Sequence, residues 1–222
     1  MPPMTPHTTT RRSLPAMSLR ALVALSLSAA SLTAFSQTEK SPAAATAESA
    51  ASAVKVTQPK VKLVTTAGNI VIELDRQAAP KTVENFLGYV RSGFYNGTIF
   101  HRVIGNFMIQ TGGYTVDLAQ KRTRAAIALE SRNGLRNDRG TVAMARQAAP
   151  DTATSQFFIN VQDNVFLNAD SARDGNGYAV FGKVISGMDV VDAIRATPTH
   201  KQSVFEDLPQ SPIVIKQAVL EK

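Results

Sequence analysis

The chain has 222 residues, 44% of them hydrophobic and 18% charged, enough for an ordinary core and one or two domains. It contains no cysteine, which excludes disulfides, thiolate metal sites and cysteine nucleophiles. The formal charge is +7, but Arg11, Arg12 and Arg20 lie in a segment expected to be removed, leaving 21 basic residues against 17 acidic, or +4. No basic stripe interleaved with aromatics accompanies that charge, so nucleic acid is not an expected partner.

Residues Ala21 to Leu32 form an almost purely apolar run behind Arg20, and Ala34-Phe35-Ser36 follows as a small-x-small pattern. The run is too short to span a bilayer and fits the core of a cleavable signal, cut after Ser36, so no stable membrane anchor is expected. Met17 offers an alternative start. The Arg11-Arg12 pair is set aside as a twin-arginine signal because Pro15 interrupts the pattern. Residues 37 to 60 are rich in Ala, Ser, Thr and Lys, with Pro42 and Pro59, and read as a flexible linker. A domain over residues 61 to 222 follows.

That domain opens with alternation: Val61, Leu63 and Thr65, a turn at Ala67-Gly68-Asn69, then Ile70, Ile72 and Leu74, which predicts a β-hairpin. Pro80 suits a first helical turn, Val83, Phe86, Leu87 and Val90 keep helical spacing, and Gly93 suits a C-terminal cap, so a helix is expected over 80 to 92. Short apolar or alternating runs at 99–104, 107–111, 127–130, 141–145, 156–161 and 178–184 predict further strands. Met188, Val191 and Ile194 mark a second amphipathic helix, and Ile213 to Leu220 a last strand. The expected class is mainly β, a barrel with helices over its openings, since closure removes exposed edges.

The stretch Phe94-Tyr95-Asn96-Gly97-Thr98-Ile99-Phe100-His101-Arg102-Val103-Ile104 resembles the signature of the cyclophilin-type peptidyl-prolyl cis-trans isomerases. Phe107-Met108-Ile109-Gln110, Gly140 to Arg146, Ser155 to Ile159, Phe166-Leu167 and Tyr178 to Gly182 match family segments in the same order. The resemblance covers about residues 61 to 221, and Asn133-Gly134-Leu135-Arg136-Asn137 looks most like the bacterial periplasmic branch. It implies a closed eight-stranded antiparallel β-barrel capped by two α-helices, and a folding catalyst in the periplasm. Its partners would be proline-containing unfolded or exported polypeptides.

The resemblance also assigns residues. Arg102 would be catalytic, a fixed planar donor that an ammonium could not replace. Phe107, Met108, Phe158 and Leu167 match the apolar pocket for the prolyl ring, while Gln110 and Gln156 match positions that hold the substrate backbone. The backbone at Ala145 and Arg146 matches the segment that pairs with an extended substrate. Phe166 stands where many members carry tryptophan, Tyr178 where many carry histidine, and Arg146 where many carry asparagine. Phe166 and Tyr178 would still line the groove. Cyclosporin would bind with weakened affinity, because phenylalanine has no donor to replace the indole N–H. No cofactor or metal is expected, and a monomer is the expected state.

Other chemistries fit less well. A peptide-binding chaperone module with little turnover would keep the groove, yet Arg102 is present. A hydrolase on Ser155 and His101 lacks the Gly-x-Ser-x-Gly elbow, and isomerisation moves no proton for His101 to carry. Asp170, Asp174 and Asn176 lack the ligand spacing and distal glutamate of a calcium loop. The sequence leaves open whether the basic loop at Lys121, Arg122 and Arg124 meets a partner, a solvated surface being the usual case for such a loop.

Overall fold

The computed structural model describes residues 58–221. The signal, residues 1 to 36, and nearly all of the linker fall outside them. Strands β1 (Lys60–Thr65) and β2 (Asn69–Leu74) form the expected hairpin, with every second side chain buried in each. The turn is tied by Thr65, whose hydroxyl donates to the Gly68 carbonyl at 2.6 Å and accepts from Ala67 N–H at 3.0 Å.

Helix α1 (Pro80–Arg91) begins with proline at the position where a missing N–H is harmless. Its N-cap, Ala79, has no oxygen to offer, and the exposed donors are satisfied from a distance. The Glu130 carboxylate accepts from Lys81 N–H at 3.1 Å, from Thr82 N–H at 2.8 Å and from the Thr82 hydroxyl at 2.7 Å. A carboxylate there also meets the positive end of the helix dipole. At the other end Gly93 (φ +66°) and Phe94 donate to the carbonyls of Val90 and Tyr89, both at 3.0 Å, closing a Schellman cap. Phe94 packs on Tyr89, ring centroids 4.6 Å apart, as that cap favours.

Two residues of the basic loop clamp this end, while Arg122 stays exposed. Lys121 Nζ donates to the carbonyls of Phe94 and Asn96, and Arg124 Nη2 donates to the Gly88 carbonyl at 2.9 Å. Cations beside the last carbonyls of a helix complement its dipole.

Strands β3 (Thr98–Ile99), β4 (Arg102–Ile104), β5 (Met108–Thr111), β6 (Thr141–Met144), β7 (Phe157–Asn160) and β8 (Val180–Ser186) follow. Then come α2 (Met188–Arg195), the hairpin β9 (Thr199–Gln202) with β10 (Phe205–Pro209), and β11 (Val214–Glu221). Nine strands make one strongly curled sheet in the order β3-β11-β1-β2-β8-β6-β7-β5-β4, with β9 and β10 apart as a pair. The fold is mainly β with two helices, as expected. The ladder itself runs open from β3 to β4 and counts nine strands where a closed barrel of eight is expected. The expected 99–104 strand is broken in two at Phe100 and His101, whose N–H groups turn to different partners, Ile213 and Gln110.

One other expectation fails, and one element is unforeseen. Residues 127–130 form no strand, only a bridge from Ile127 to Ala153, because Leu129 N–H goes to the Asp151 carboxylate and Glu130 to α1. The β9–β10 hairpin has no counterpart in the sequence reading, since Thr199–Gln202 is polar throughout and does not alternate. Among the described residues no helix is long and apolar enough to cross a membrane.

The main core lies inside the curl, where Phe86 of α1 meets Tyr95, Phe157 and Phe181 at centroid distances of 5.2, 5.2 and 5.1 Å. Strands β5, β6 and β7 depart from simple alternation because both their faces are covered. Ile109, Val142, Phe157 and Ile159 point into the main core. Met108, Ala143 and Phe158 belong to a second, smaller cluster with Leu167 and Val180. That second cluster is completed by half-buried Ile104, Phe107, Leu135, Ala145 and Tyr178, so it reaches the surface.

Candidate functional site

The second cluster floors a cavity of about 320 Å3 lined by Arg102, Phe107, Met108, Gln110, Ala145, Arg146, Phe158, Leu167 and Tyr178. Nine of the eleven residues singled out in the sequence therefore surround one space. Gln156 joins through its side chain, accepting from Gln110 Nε2 at 2.8 Å, and lines an adjoining cavity with Gln110, Ala145 and Arg146. Phe166 sits outside, 55% exposed, stacked on Phe107 at 5.5 Å. A larger cavity of about 400 Å3 lies elsewhere, among Glu73, Asp75, Arg136, Asp138 and Lys183, and holds none of the predicted residues.

The positions follow from strand register. Arg102 on β4 lies opposite Gln110 on β5, and Gln110 lies opposite Phe158 on β7, so one cross-strand row carries cation, amide and aromatic side by side. Met108 and Phe158, 1% and 4% exposed, form the apolar floor. Arg102 keeps 44% of its side chain exposed at the rim. Its guanidinium lies 5.9 Å from the Phe107 ring centre, and its Nε is 3.5 Å from the Asp207 carboxylate on β10. The unforeseen hairpin thus brings an acidic partner to Arg102.

Arg146 is held differently. Its Nε donates to the Gly177 carbonyl at 2.8 Å, its Nη1 to those of Gln147 and Ala148, and its Nη2 to Asp174. Ala145 N–H donates to the Gln156 carbonyl at 2.9 Å, which fixes the rim segment against β7.

Behind the cavity stands a group of buried asparagines that sequence reasoning missed. Asn164 Nδ2 donates to the Phe107 carbonyl at 2.8 Å and to Asn160 Oδ1 at 2.7 Å, while Asn160 donates to Thr141 Oγ1 at 2.9 Å. Asn137 N–H donates to Asn168 Oδ1 at 2.8 Å and its amide to the Leu167 carbonyl at 3.2 Å. These amides, which both donate and accept, tie together the turns that present Phe107 and Leu167. The signal available in the sequence was their density between 133 and 168.

His101 is buried between Tyr114 and Phe205, centroids 4.7 and 6.0 Å away, and its Nδ1 has no hydrogen-bond partner among the described residues. Burial pushes its pKa down to about 4, against the opposing pull of the Ile99 carbonyl and the Gln156 side chain. It is neutral at neutral pH. The Ser155 hydroxyl is fully buried and donates to the Gly112 carbonyl at 2.7 Å, so no nucleophile-base pair forms here. Asp174 is engaged by Arg146.

The family model for cyclophilin type peptidyl-prolyl cis-trans isomerase/CLD matches residues 60–220. A peptidyl-prolyl cis-trans isomerase of Streptomyces antibioticus is 60% identical over 159 residues, 71% of this chain and 96% of the relative. Peptidyl-prolyl cis-trans isomerase A of Dickeya dadantii is 53% identical over 75% of this chain and 86% of its own. Among solved structures, a cyclophilin type peptidyl-prolyl cis-trans isomerase of Cryptosporidium parvum, in the presence of the dipeptide Ala-Pro, superposes with a TM-score of 0.61. It is 30% identical, and the match covers 73% of this chain and 99% of that one.

Proposed function

Since the chain belongs to the cyclophilin-type peptidyl-prolyl cis-trans isomerase family, we propose that it turns X-Pro bonds in exported polypeptides, with Arg102 as the catalytic donor. Rotation about an amide faces a barrier of about 18–20 kcal/mol, and an X-Pro bond needs tens to hundreds of seconds. Bringing that to about a millisecond takes roughly 7 kcal/mol, which holding and electrostatics supply without a covalent step.

In the twisted amide the prolyl nitrogen loses conjugation and its lone pair becomes an acceptor. A donor aimed there stabilises the twisted form above the planar one, which is what lowers the barrier. The arrangement that carries this reading is Arg102 at the rim above the Met108 and Phe158 floor. The floor grips the prolyl ring, the guanidinium faces the nitrogen, and Gln110 with Gln156 holds the backbone on the side that turns. The Ala145 and Arg146 backbone pairs with the extended substrate. Asp207, 3.5 Å from Nε, restrains the guanidinium.

We read β3 and β4 as one bent strand continued through Phe100 and His101, a reading under which the sheet would have eight strands and close into the barrel that the family resemblance implies; the ladder order, with β3 and β4 at its two ends, supports it. The site then lies on its outer face. The run Ala21 to Leu32 directs export to the periplasm, and the domain begins near Val61. Two measurements test these readings: exchange of a cis and trans X-Pro peptide, followed by NMR with and without the protein, and N-terminal sequencing of the exported form. Equal exchange rates would refute the activity on such peptides, and an exported chain still starting at Met1 or Met17 would refute the signal.

A further inference from the structure

Arg146 stands at the rim of the cavity, yet its side chain is 3% exposed. Its donors are taken up by protein acceptors: the carbonyls of Gly177 at 2.8 Å, Gln147 at 3.0 Å and Ala148 at 3.1 Å, and the Asp174 carboxylate. The guanidinium also lies over the Tyr178 ring, 4.6 Å from its centre, while Phe158 meets the same ring edge-on at 5.7 Å. Tyr178 is therefore gripped between a cation and the pocket floor.

Apart from the neighbouring carbonyls of Gln147 and Ala148, everything Arg146 holds belongs to one loop. Leu167 and Tyr178, both cavity-lining, are its two ends, joined at the neck by Tyr178 N–H to the Leu167 carbonyl at 2.9 Å. Within it Asp174 accepts from Asn176 N–H at 3.0 Å and Gly177 N–H at 3.3 Å. Gly177 (φ +64°) approaches so closely that a Cβ would come within 2.6 Å of Ala169 N. The Asn176 N–H and then Arg146 hold the Asp174 carboxyl down at about 2, so it stays charged through the working pH range.

We propose that Arg146 is a positioning residue for the isomerase site: bound to Asp174, Gly177 and the Tyr178 ring, it fixes the 167–178 loop at the width that grips the prolyl ring. This rests on the site reading above. With four of its five N–H groups bonded inside the protein and its side chain 3% exposed, the guanidinium does not reach substrate. The loop grips the ring alike in the planar and twisted states, and such uniform binding acts on KM and not on kcat. A lysine cannot substitute, because one mobile ammonium cannot serve four acceptors in a plane and stack on a ring as well.

The test is steady-state isomerisation of one X-Pro peptide by Arg146→Met, Arg146→Lys, Asp174→Asn and Arg102→Ala, each with its melting temperature. Arg146→Met is expected to raise KM about tenfold with kcat within about twofold, and Arg146→Lys to recover little of it. Asp174→Asn keeps the Oδ1 that holds the loop turn but loses the charge and the Oδ2 acceptor that Arg146 uses, so KM should rise about threefold. Arg102→Ala should do the converse, lowering kcat at nearly constant KM. An unchanged KM in folded Arg146→Met, or a loss confined to kcat, overturns the proposal. Should Arg146→Met not fold, an unchanged KM in Asp174→Asn overturns it. An unchanged kcat in Arg102→Ala would instead remove the site reading beneath it.

Discussion

Acidification should destabilise this protein through His101. The ring is buried between Tyr114 and Phe205, and burial lowers its pKa from 6.5 to about 4. The unfolded chain therefore takes up a proton below pH 6.5 that the folded chain refuses until about pH 4. Stability that His101 permits is complete above 6.5 and is lost as pH falls towards 4. At 1.36 kcal/mol per unit, that gap comes to about 3 kcal/mol. For a domain of this size the melting temperature should drop by about 6–12 °C across the window. Asp174, held at about 2, and Asp192, lowered by its bonds to Arg139 and Arg195, weaken the fold only at lower pH. Calorimetric scans from pH 7 to 4.5 would read the slope. His101→Phe keeps an aromatic between the two rings, cannot take a proton and should remove most of that slope. A wild-type melting temperature flat over this range, or a variant with the same slope, would refute the reasoning.

Two further predictions concern the helix cap and the groove. Glu130→Ala should lower stability by about 1–2 kcal/mol, since it strips three acceptor contacts from the start of α1, with Glu130→Gln recovering part; thermal melts would show it, and an unchanged Ala variant would contradict the cap. Phe166→Trp should tighten cyclosporin about ten- to a hundredfold, the worth of one restored hydrogen bond, with peptide turnover nearly unchanged. Because Phe166 stacks on Phe107 at the cavity edge, an unmoved inhibition constant would show that this position does not face the drug.

Periodicity served well wherever one face of an element is buried. The β1–β2 hairpin and α1 were legible because every second residue, or every third and fourth, is apolar, and Gly93 announced the cap. It failed where contacts cross long sequence separations. Nothing local in residues 127–130 says that Glu130 reaches α1 instead of a strand partner, and polar Thr199–Gln202 hides a hairpin. The site was legible through the ordered family blocks, and strand register then explains why Arg102, Gln110 and Phe158 stand in one row. What the blocks did not carry were the supports. Asp207 comes from the hidden hairpin, the asparagine network ties Phe107 to residues 137–141 and 160–168, and the Arg146 contact with Tyr178 joins two departures from the family pattern that the sequence shows only one at a time.

The central claim is that a single fixed cation lowers the barrier. Exchange rates of one X-Pro peptide, catalysed by wild type and by Arg102→Ala at equal concentration and matched melting temperature, test it most directly. The account predicts a fall in kcat of about a hundredfold or more with KM little changed, the loss typical of one preorganised donor, and no rescue by Arg102→Lys. Near wild-type turnover in a folded Arg102→Ala variant would contradict it.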